Sequence, residues 1–206
     1  MSGAPTKTIV TGGGNQTVNG SAGNDHLDGG KGVDITMGGK GDDTHYIRDN
    51  GDTAVENADE GIDTALVAIK IYTLGANVEN LISTYGSGGI YTGNGLNNII
   101  TGGASSDRLT GGAGSDLFVL SKGTDTITDF AGGFGYGDTI DLRELTAFKG
   151  LDDVLAKARQ SGADTILDLD SKHTVILSNY DVNDLAADDF QFAQPLEAHA
   201  AHDFLI

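Results

Sequence analysis

The chain has 206 residues, enough for one long domain or a main domain with a small cap around a buried core. Its formal charge of −18, from 30 acidic and 12 basic residues, repels phosphate backbones and argues against nucleic acid as a partner. With 32 glycines, 2 prolines and no cysteine, it is neither collagen nor a disulfide scaffold, and it offers no thiolate metal site or cysteine nucleophile. No apolar run is long enough to span a membrane. The segment MSGAPTKTIV has no apolar signal core, so the chain is either cytoplasmic or exported by a route that reads another part of it.

Along the chain, the first organised feature is a period of nine. Residues 11–19 read TGGGNQTVN, 20–28 GSAGNDHLD, 29–37 GGKGVDITM and 38–46 GGKGDDTHY. The sixth place holds Gln16, then Asp25, Asp34 and Asp43. Six turn-forming residues followed by three with an apolar middle describe a turn and a very short strand. One such strand buries a single side chain and needs neighbours stacked in parallel. Two nonapeptides per coil set Asp25 beside Asp43 and Asp34 beside Asp52. Neighbouring strands lie about 4.8 Å apart, so paired carboxylates are close enough to share an ion. Thr36 and His45 take apolar places and make the expected core imperfect there.

Residues 47–74 interrupt the repeat but keep Asp49, Asp52 and Asp63. TALVAIKIYTL is rich in β-formers and is expected to hold longer strands. Glu56, Asp59 and Glu60 read as a solvated acidic loop rather than as metal ligands. From residue 75 a second ladder runs GANVENLIS, TYGSGGIYT, GNGLNNIIT, GGASSDRLT, GGAGSDLFV, LSKGTDTIT. Its sixth places are Asn80, Gly89, Asn98, Asp107, Asp116 and Asp125, and its eighth places Ile82, Tyr91, Ile100, Leu109, Phe118 and Ile127. This stacks Asp107 on Asp125 and Asn98 on Asp116. Asp138, in a second DTI segment, closes the last site.

Regularly spaced carboxylates that repel one another call for a hard divalent cation. Ca²⁺ takes 6 to 8 oxygens at about 2.3–2.6 Å. The candidate ligands are Asp25, Asp34, Asp43, Asp49, Asp52, Asn98, Asp107, Asp116, Asp125 and Asp138. Turn carbonyls come from Gly20, Gly23, Gly29, Gly30, Gly32, Gly38, Gly39, Gly41, Gly102, Gly103, Gly111, Gly112 and Gly114.

GGKGVD (29–34), GGKGDD (38–43) and GGAGSD (111–116) resemble the loop of the RTX (repeats-in-toxin, hemolysin-type) family, GGxGxDxUx with U apolar. Several tandem copies in one frame make the match specific, and it covers roughly residues 12–192. The resemblance implies an all-β, right-handed parallel β-roll, a β-solenoid with several Ca²⁺ ions between stacked turns, and secretion through a one-step type I channel. Gln16, Asn80, Gly89 and Asn98 lack the family's carboxylate, so sites beside them are expected to be weak or empty.

The expected roll spans 1–141, with a cap over 142–192 and a tail over 193–206. In LDDVLAKARQS (151–161), Leu151, Val154, Leu155 and Ala158 share a helical face, and Gly162 is the stop. ADTILDLDSKHTVILS reads as two strands around a turn, and VNDLAADDFQF completes a cap similar to the C-terminal part of serralysin-type proteases. Asp203-Phe204-Leu205-Ile206 resembles the terminus of type I secretion substrates. No catalytic constellation is present, and His199 and His202 read as solvated rather than zinc-binding. The expected function is an extracellular calcium-binding module that folds on Ca²⁺ binding and supports type I secretion. Two alternatives stand beside it. One is a polysaccharide- or cell-surface-binding module, with Lys31, Lys40, Arg108 and Lys122 as its few cationic contacts. The other is the non-catalytic C-terminal part of a secreted hydrolase or epimerase.

Overall fold

The computed structural model describes residues 6–133 and 137–193. Its strands are short, as one apolar residue per nonapeptide dictates. The first six are β1 (Thr8–Val10), β2 (Thr17–Ala22), β3 (His26–Asp28), β4 (Ile35–Lys40), β5 (Thr44–Ile47) and β6 (Thr53–Val55). Next come β7 (Thr64–Val67), β8 (Ile71–Thr73), β9 (Asn80–Ser83), β10 (Ile90–Thr92), β11 (Ile99–Thr101) and β12 (Arg108–Thr110). Then follow β13 (Leu117–Val119), β14 (Gly123–Ile127), β15 (Thr139–Asp141) and the helix α1 (Leu151–Leu155). The last four are β16 (Ala158–Ser161), β17 (Asp164–Asp168), β18 (His173–Leu177) and β19 (Phe190–Gln191).

The odd-numbered strands β1 to β15, with β19, form one nine-stranded parallel sheet. The other sheet is in two pieces, β2-β4-β6 and β8-β10-β12-β14-β18-β17-β16. No strand pair joins β6 to β8, and Asn77 Nδ2 donating to Glu56 O (2.9 Å) bridges the gap instead. The protein is thus an all-β parallel β-solenoid with one short helix near its C-terminal end.

Strand pairing aligns the inward residues into columns. One runs Leu27, His45, Ala65, Leu81, Ile100, Phe118, Ile140, Phe190. Another runs Tyr72, Tyr91, Leu109, Ile127, Leu177. All are buried, and each large apolar side chain contributes about 1.5–3 kcal/mol of transfer free energy. Tyr72 and Tyr91 are therefore packing residues, while Tyr91 also bonds Ser83 Oγ (2.7 Å). The contiguous apolar cluster begins at Ile47, so Val18 and Leu27 lie beyond it, across the polar pair Thr36 and His45.

The structure departs from the sequence frame in three places. Residues 47–74 do not leave the roll: β6, β7 and β8 continue it, and the four and three residues of β7 and β8 are no longer than their neighbours. The coil from Thr44 to Thr64 has 20 residues and the next, to Asn80, has 16, so the frame slips and recovers. The coil from Asn80 to Ile99 then has 19 residues, so Leu81, not Ile82, fills the core, and Ile82 is exposed. The helix expected over 151–161 ends at Leu155. Residues 158–161 instead pair antiparallel with β17, and Gly162 (φ +65°) turns that hairpin. The edge of a growing sheet satisfies backbone groups that a short helix leaves open, which overrides the local periodicity.

Two glycine roles recur in the turns. At Gly111 an added Cβ would lie 2.2 Å from Asp116 Oδ2, so the first glycine makes room for the sixth-place carboxylate. Gly30 has φ +87°, and a Cβ there would lie 2.1 Å from the carbonyl oxygen of Gly12 in the preceding coil. Gly30→Ala is expected to cost roughly 2–4 kcal/mol in thermal unfolding at saturating Ca²⁺. Gly12→Ala, where nothing lies within 4 Å, should change stability by less than about 0.5 kcal/mol.

Candidate metal centre

Each sixth-place carboxylate accepts a hydrogen bond from the backbone N–H of the equivalent residue one coil earlier. In one column Lys7 N donates to Asp25 (2.7 Å), Asp25 N to Asp43 (2.6 Å), Asp43 N to Asp63 (2.8 Å) and Asp63 N to Glu79 (2.8 Å). The same column continues with Asn98 N to Asp116 (2.8 Å) and Asp116 N to Asp138 (3.0 Å). In the other, Gln16 N donates to Asp34 (2.8 Å) and Asp34 N to Asp52 (3.0 Å). Beyond the seam, Gly89 N donates to Asp107 (2.6 Å) and Asp107 N to Asp125 (2.9 Å). The four stacks expected from the sequence, Asp25 on Asp43, Asp34 on Asp52, Asp107 on Asp125 and Asn98 on Asp116, are all present.

The second carboxylate oxygens divide into two groups. Some cap their own turn: Asp25 Oδ2 takes Ser21 N, Asp52 Oδ2 takes Arg48 N and Asp49 N, and Asp107 Oδ2 takes Gly103 N. Asp138 Oδ2 takes Ala131 N. The Oδ2 atoms of Asp34, Asp43, Asp63 and Asp116 are buried without any hydrogen-bond partner. A buried oxygen acceptor left unpaired costs about 1–3 kcal/mol, more if charged. Desolvation accordingly pushes Asp63 and Asp125 up to about 7 and Asp116 up to about 6, and neighbouring carboxylates add to it. Asp43, Asp107 and Asp138 rise for the same first reason. These orphaned oxygens are hard donors of the kind Ca²⁺ takes.

Gly23, Gly30, Gly32, Gly39, Gly41, Gly112 and Gly114 have positive φ, and Gly20, Gly29, Gly38, Gly102, Gly103 and Gly111 leave space over a carboxylate or a carbonyl of a neighbouring turn. Asn98 cannot carry charge. Its Oδ1 accepts from Asn94 N (2.7 Å) and its Nδ2 donates to Glu79 O (3.1 Å), an amide closure of that turn. Asp49 accepts from Gly32 N (3.0 Å).

Several acidic residues at these turns escaped the sequence reading. Glu79, not Asn80, is the sixth-place residue of its coil, hidden by the 19-residue spacing from Asn80 to Ile99. Asp129 clamps the N–H groups of Gly111 and Gly112 (2.9 Å each). Glu56 does the same for Gly38 (2.6 Å) and Gly39 (3.2 Å) and is buried, so it does not belong to a solvated loop; Asp59 is exposed as expected. Counting 18 residues on from each loop glycine pair would have found Glu56 and Asp129. The tail that resembles a secretion signal, with His199 and His202, lies outside the described residues.

Residues 10–44 and 92–127 match the profile of the RTX calcium-binding nonapeptide repeat, in four copies. No curated protein matches the chain. Among solved structures, it is similar to the extracellular lipase LipA from Serratia marcescens, at 16% identity and a TM-score of 0.47. The overlap covers 92% of this chain and 40% of the lipase, so the chain spans well under half of that protein's length. Residues 10–44 and 92–127 of this β-solenoid are thus RTX calcium-binding nonapeptide repeats.

Proposed function

We propose that the chain is an extracellular calcium-binding module that orders its roll on binding Ca²⁺ and is exported by a type I route. The observation that carries this reading is the set of four buried, unpartnered carboxylate oxygens on Asp34, Asp43, Asp63 and Asp116. Folding without a cation must bury these groups against desolvation and like charge, and must also order a glycine-rich backbone. When bound, Ca²⁺ supplies the charge and the coordination that the orphaned oxygens lack. At 100 times its dissociation constant, each site adds about 2.7 kcal/mol to the folded state. A chain so balanced stays loose at cytosolic calcium and orders at the millimolar level outside. That difference supports an export route in which the chain threads a channel before it folds.

Far-UV circular dichroism during a Ca²⁺ titration tests this, with Mg²⁺ as control. A coil-to-β transition is expected with Ca²⁺ alone. Asp107→Asn should raise its midpoint by about tenfold, equivalent to about 1.4 kcal/mol. A β spectrum unchanged by chelation would overturn the folding role.

A further inference from the structure

The polar break in the core sets an imidazole, which calcium does not explain, beside Glu56 and a carboxylate of the calcium column. His45 lies on β5, in the inward column between Leu27 and Ala65. Glu56 follows β6 and Asp63 precedes β7. All three are buried: His45 is 0% exposed, Glu56 6% and Asp63 1%. Donor atoms from the three side chains lie within 4.8 Å of one another.

We propose that His45, Glu56 and Asp63 form a binding site for one divalent transition-metal ion, Zn²⁺ being the best match, inside the roll, sharing Asp63 with the calcium column and set apart from it by the imidazole. The imidazole decides the class of ion. Ca²⁺ takes oxygen ligands, whereas nitrogen with carboxylates suits Zn²⁺.

Four observations support the assignment. His45 Nε2 stands 2.8 Å from Glu56 Oε1, yet Nε2 has no hydrogen-bond partner, so the contact lacks the alignment of an N–H···O bond. Two ligands of one tetrahedral Zn²⁺ ion, each about 2.0–2.2 Å from it, stand roughly 3.3–3.6 Å apart, so Nε2 and Oε1 would draw apart slightly around the ion. Asp63 Oδ2 is a second buried atom without a partner, and Asp43 Oδ2, near by, is a third. On its other side, His45 Nδ1 lies 2.8 Å from Thr36 Oγ1, and that hydroxyl reaches Thr53 O at 3.4 Å. A hydroxyl that donates to the carbonyl must accept from Nδ1–H, which leaves the Nε2 lone pair facing the carboxylates. An outer partner that fixes the imidazole in this way is the usual companion of a metal-bound histidine.

Space and charge agree with this. The column residues beside the cluster are small, Ala54 and Ala65. A Cβ on Gly38 would lie 2.2 Å from Asp43 Oδ2 and 2.4 Å from Glu56 Oε1, so both oxygens converge over a residue with no side chain. Three buried carboxylates meet there, and none of the ion pairs among the described residues brings a Lys or Arg to them.

The test uses the full chain with the tail histidines replaced (His199→Asn, His202→Asn), stripped with chelator and returned to saturating Ca²⁺. Zn²⁺ and Co²⁺ are then titrated, with metal content measured after gel filtration. One equivalent of Zn²⁺ should be retained per chain, and Co²⁺ should give a d–d spectrum of mixed nitrogen and oxygen ligation. His45→Gln should abolish both, and Thr36→Val should weaken Zn²⁺ by about 10–100-fold with the Ca²⁺ count unchanged. The Co²⁺ spectrum of the chain with His45 intact reports the ligand set even if the variants fail to fold. Retention of no Zn²⁺ would overturn the proposal and leave His45 and Glu56 as a polar contact of the core. Displacement of Zn²⁺ by millimolar Ca²⁺, with binding indifferent to His45→Gln, would overturn it in favour of one more calcium site. Neither result bears on whether the turns bind Ca²⁺, which the dichroism titration reads separately.

Discussion

In excess chelator, the protein is expected to gain β structure as the pH is lowered from 8 to about 5, against the usual direction of acid denaturation. Asp63 and Asp125 sit near 7 and Asp116 near 6 in the folded roll, chiefly through desolvation. In the unfolded chain each returns to about 3.9. Between about pH 4 and 7 the folded form therefore holds more protons than the unfolded one. The stability this supplies is full below that window and is lost as the pH rises through it. A tenfold difference in proton affinity between the folded and unfolded chain is worth about 1.4 kcal/mol, so three such groups amount to several kcal/mol. Asp25 and Asp170 behave oppositely. Desolvation raises Asp25, but hydrogen bonds from Lys7 and Ser21 more than offset it, and the Lys172 N–H leads in lowering Asp170. Protonating them erodes the gain below about pH 4. Urea midpoints measured from pH 4 to 8 in chelator check the sign. Asp125→Asn should reproduce part of the gain at pH 7.5 in chelator and weaken folding in Ca²⁺. A midpoint that falls steadily with acid would show that the buried carboxylates do not limit the metal-free fold.

Phe118→Ala is expected to lower stability at saturating Ca²⁺ by about 3–5 kcal/mol, a large share of a total of roughly 5–15. Phe118 is fully buried between Ile100 and Ile140 in the column, with its ring 6.5 Å from that of Phe130. Phe130 in turn packs edge-on against Tyr180, 5.2 Å away, so this stack ties the central coils to the segment that follows β18. Stacked coils touch only their neighbours, and a gap in one layer breaks two interfaces. Urea unfolding followed by dichroism should show the full loss. Phe118→Leu, which keeps most of the volume, should show less than half of it.

The nonapeptide register was legible because each repeat carries its own turn, strand and carboxylate. No distant partner is needed to place Asp25, Asp34, Asp107 or Asp116. What failed depended on pairing between coils. The extra residue in the coil from Asn80 to Ile99 leaves no mark on composition, yet it exchanges Asn80 for Glu79 and Ile82 for Leu81. Glu56 looks like one more surface acid until the N–H groups of Gly38 and Gly39, a coil earlier, are seen to hold it inside. Leu151, Val154, Leu155 and Ala158 have helical spacing, but the backbone of residues 158–161 found a sheet edge instead. Thr36 and His45 were recognised as flaws in an apolar column. Their bond to each other becomes visible only when β4 and β5 face one another across the interior.

The seam between β6 and β8 gives the solenoid an uneven stiffness. A stack stitched along both walls resists flexing equally in either sense. Here the stitching of the second wall stops after β6 and resumes at β8, while the first wall runs unbroken through β5, β7 and β9. The unbroken wall acts as a spine and the interrupted one as a slit, so strain concentrates where Asn77 bridges to Glu56. Elastically the molecule is two blocks on one flexible strap. The first carries β2, β4 and β6 and the second β8 and the strands that follow it in the same wall, so the slit is where the rod bends most readily.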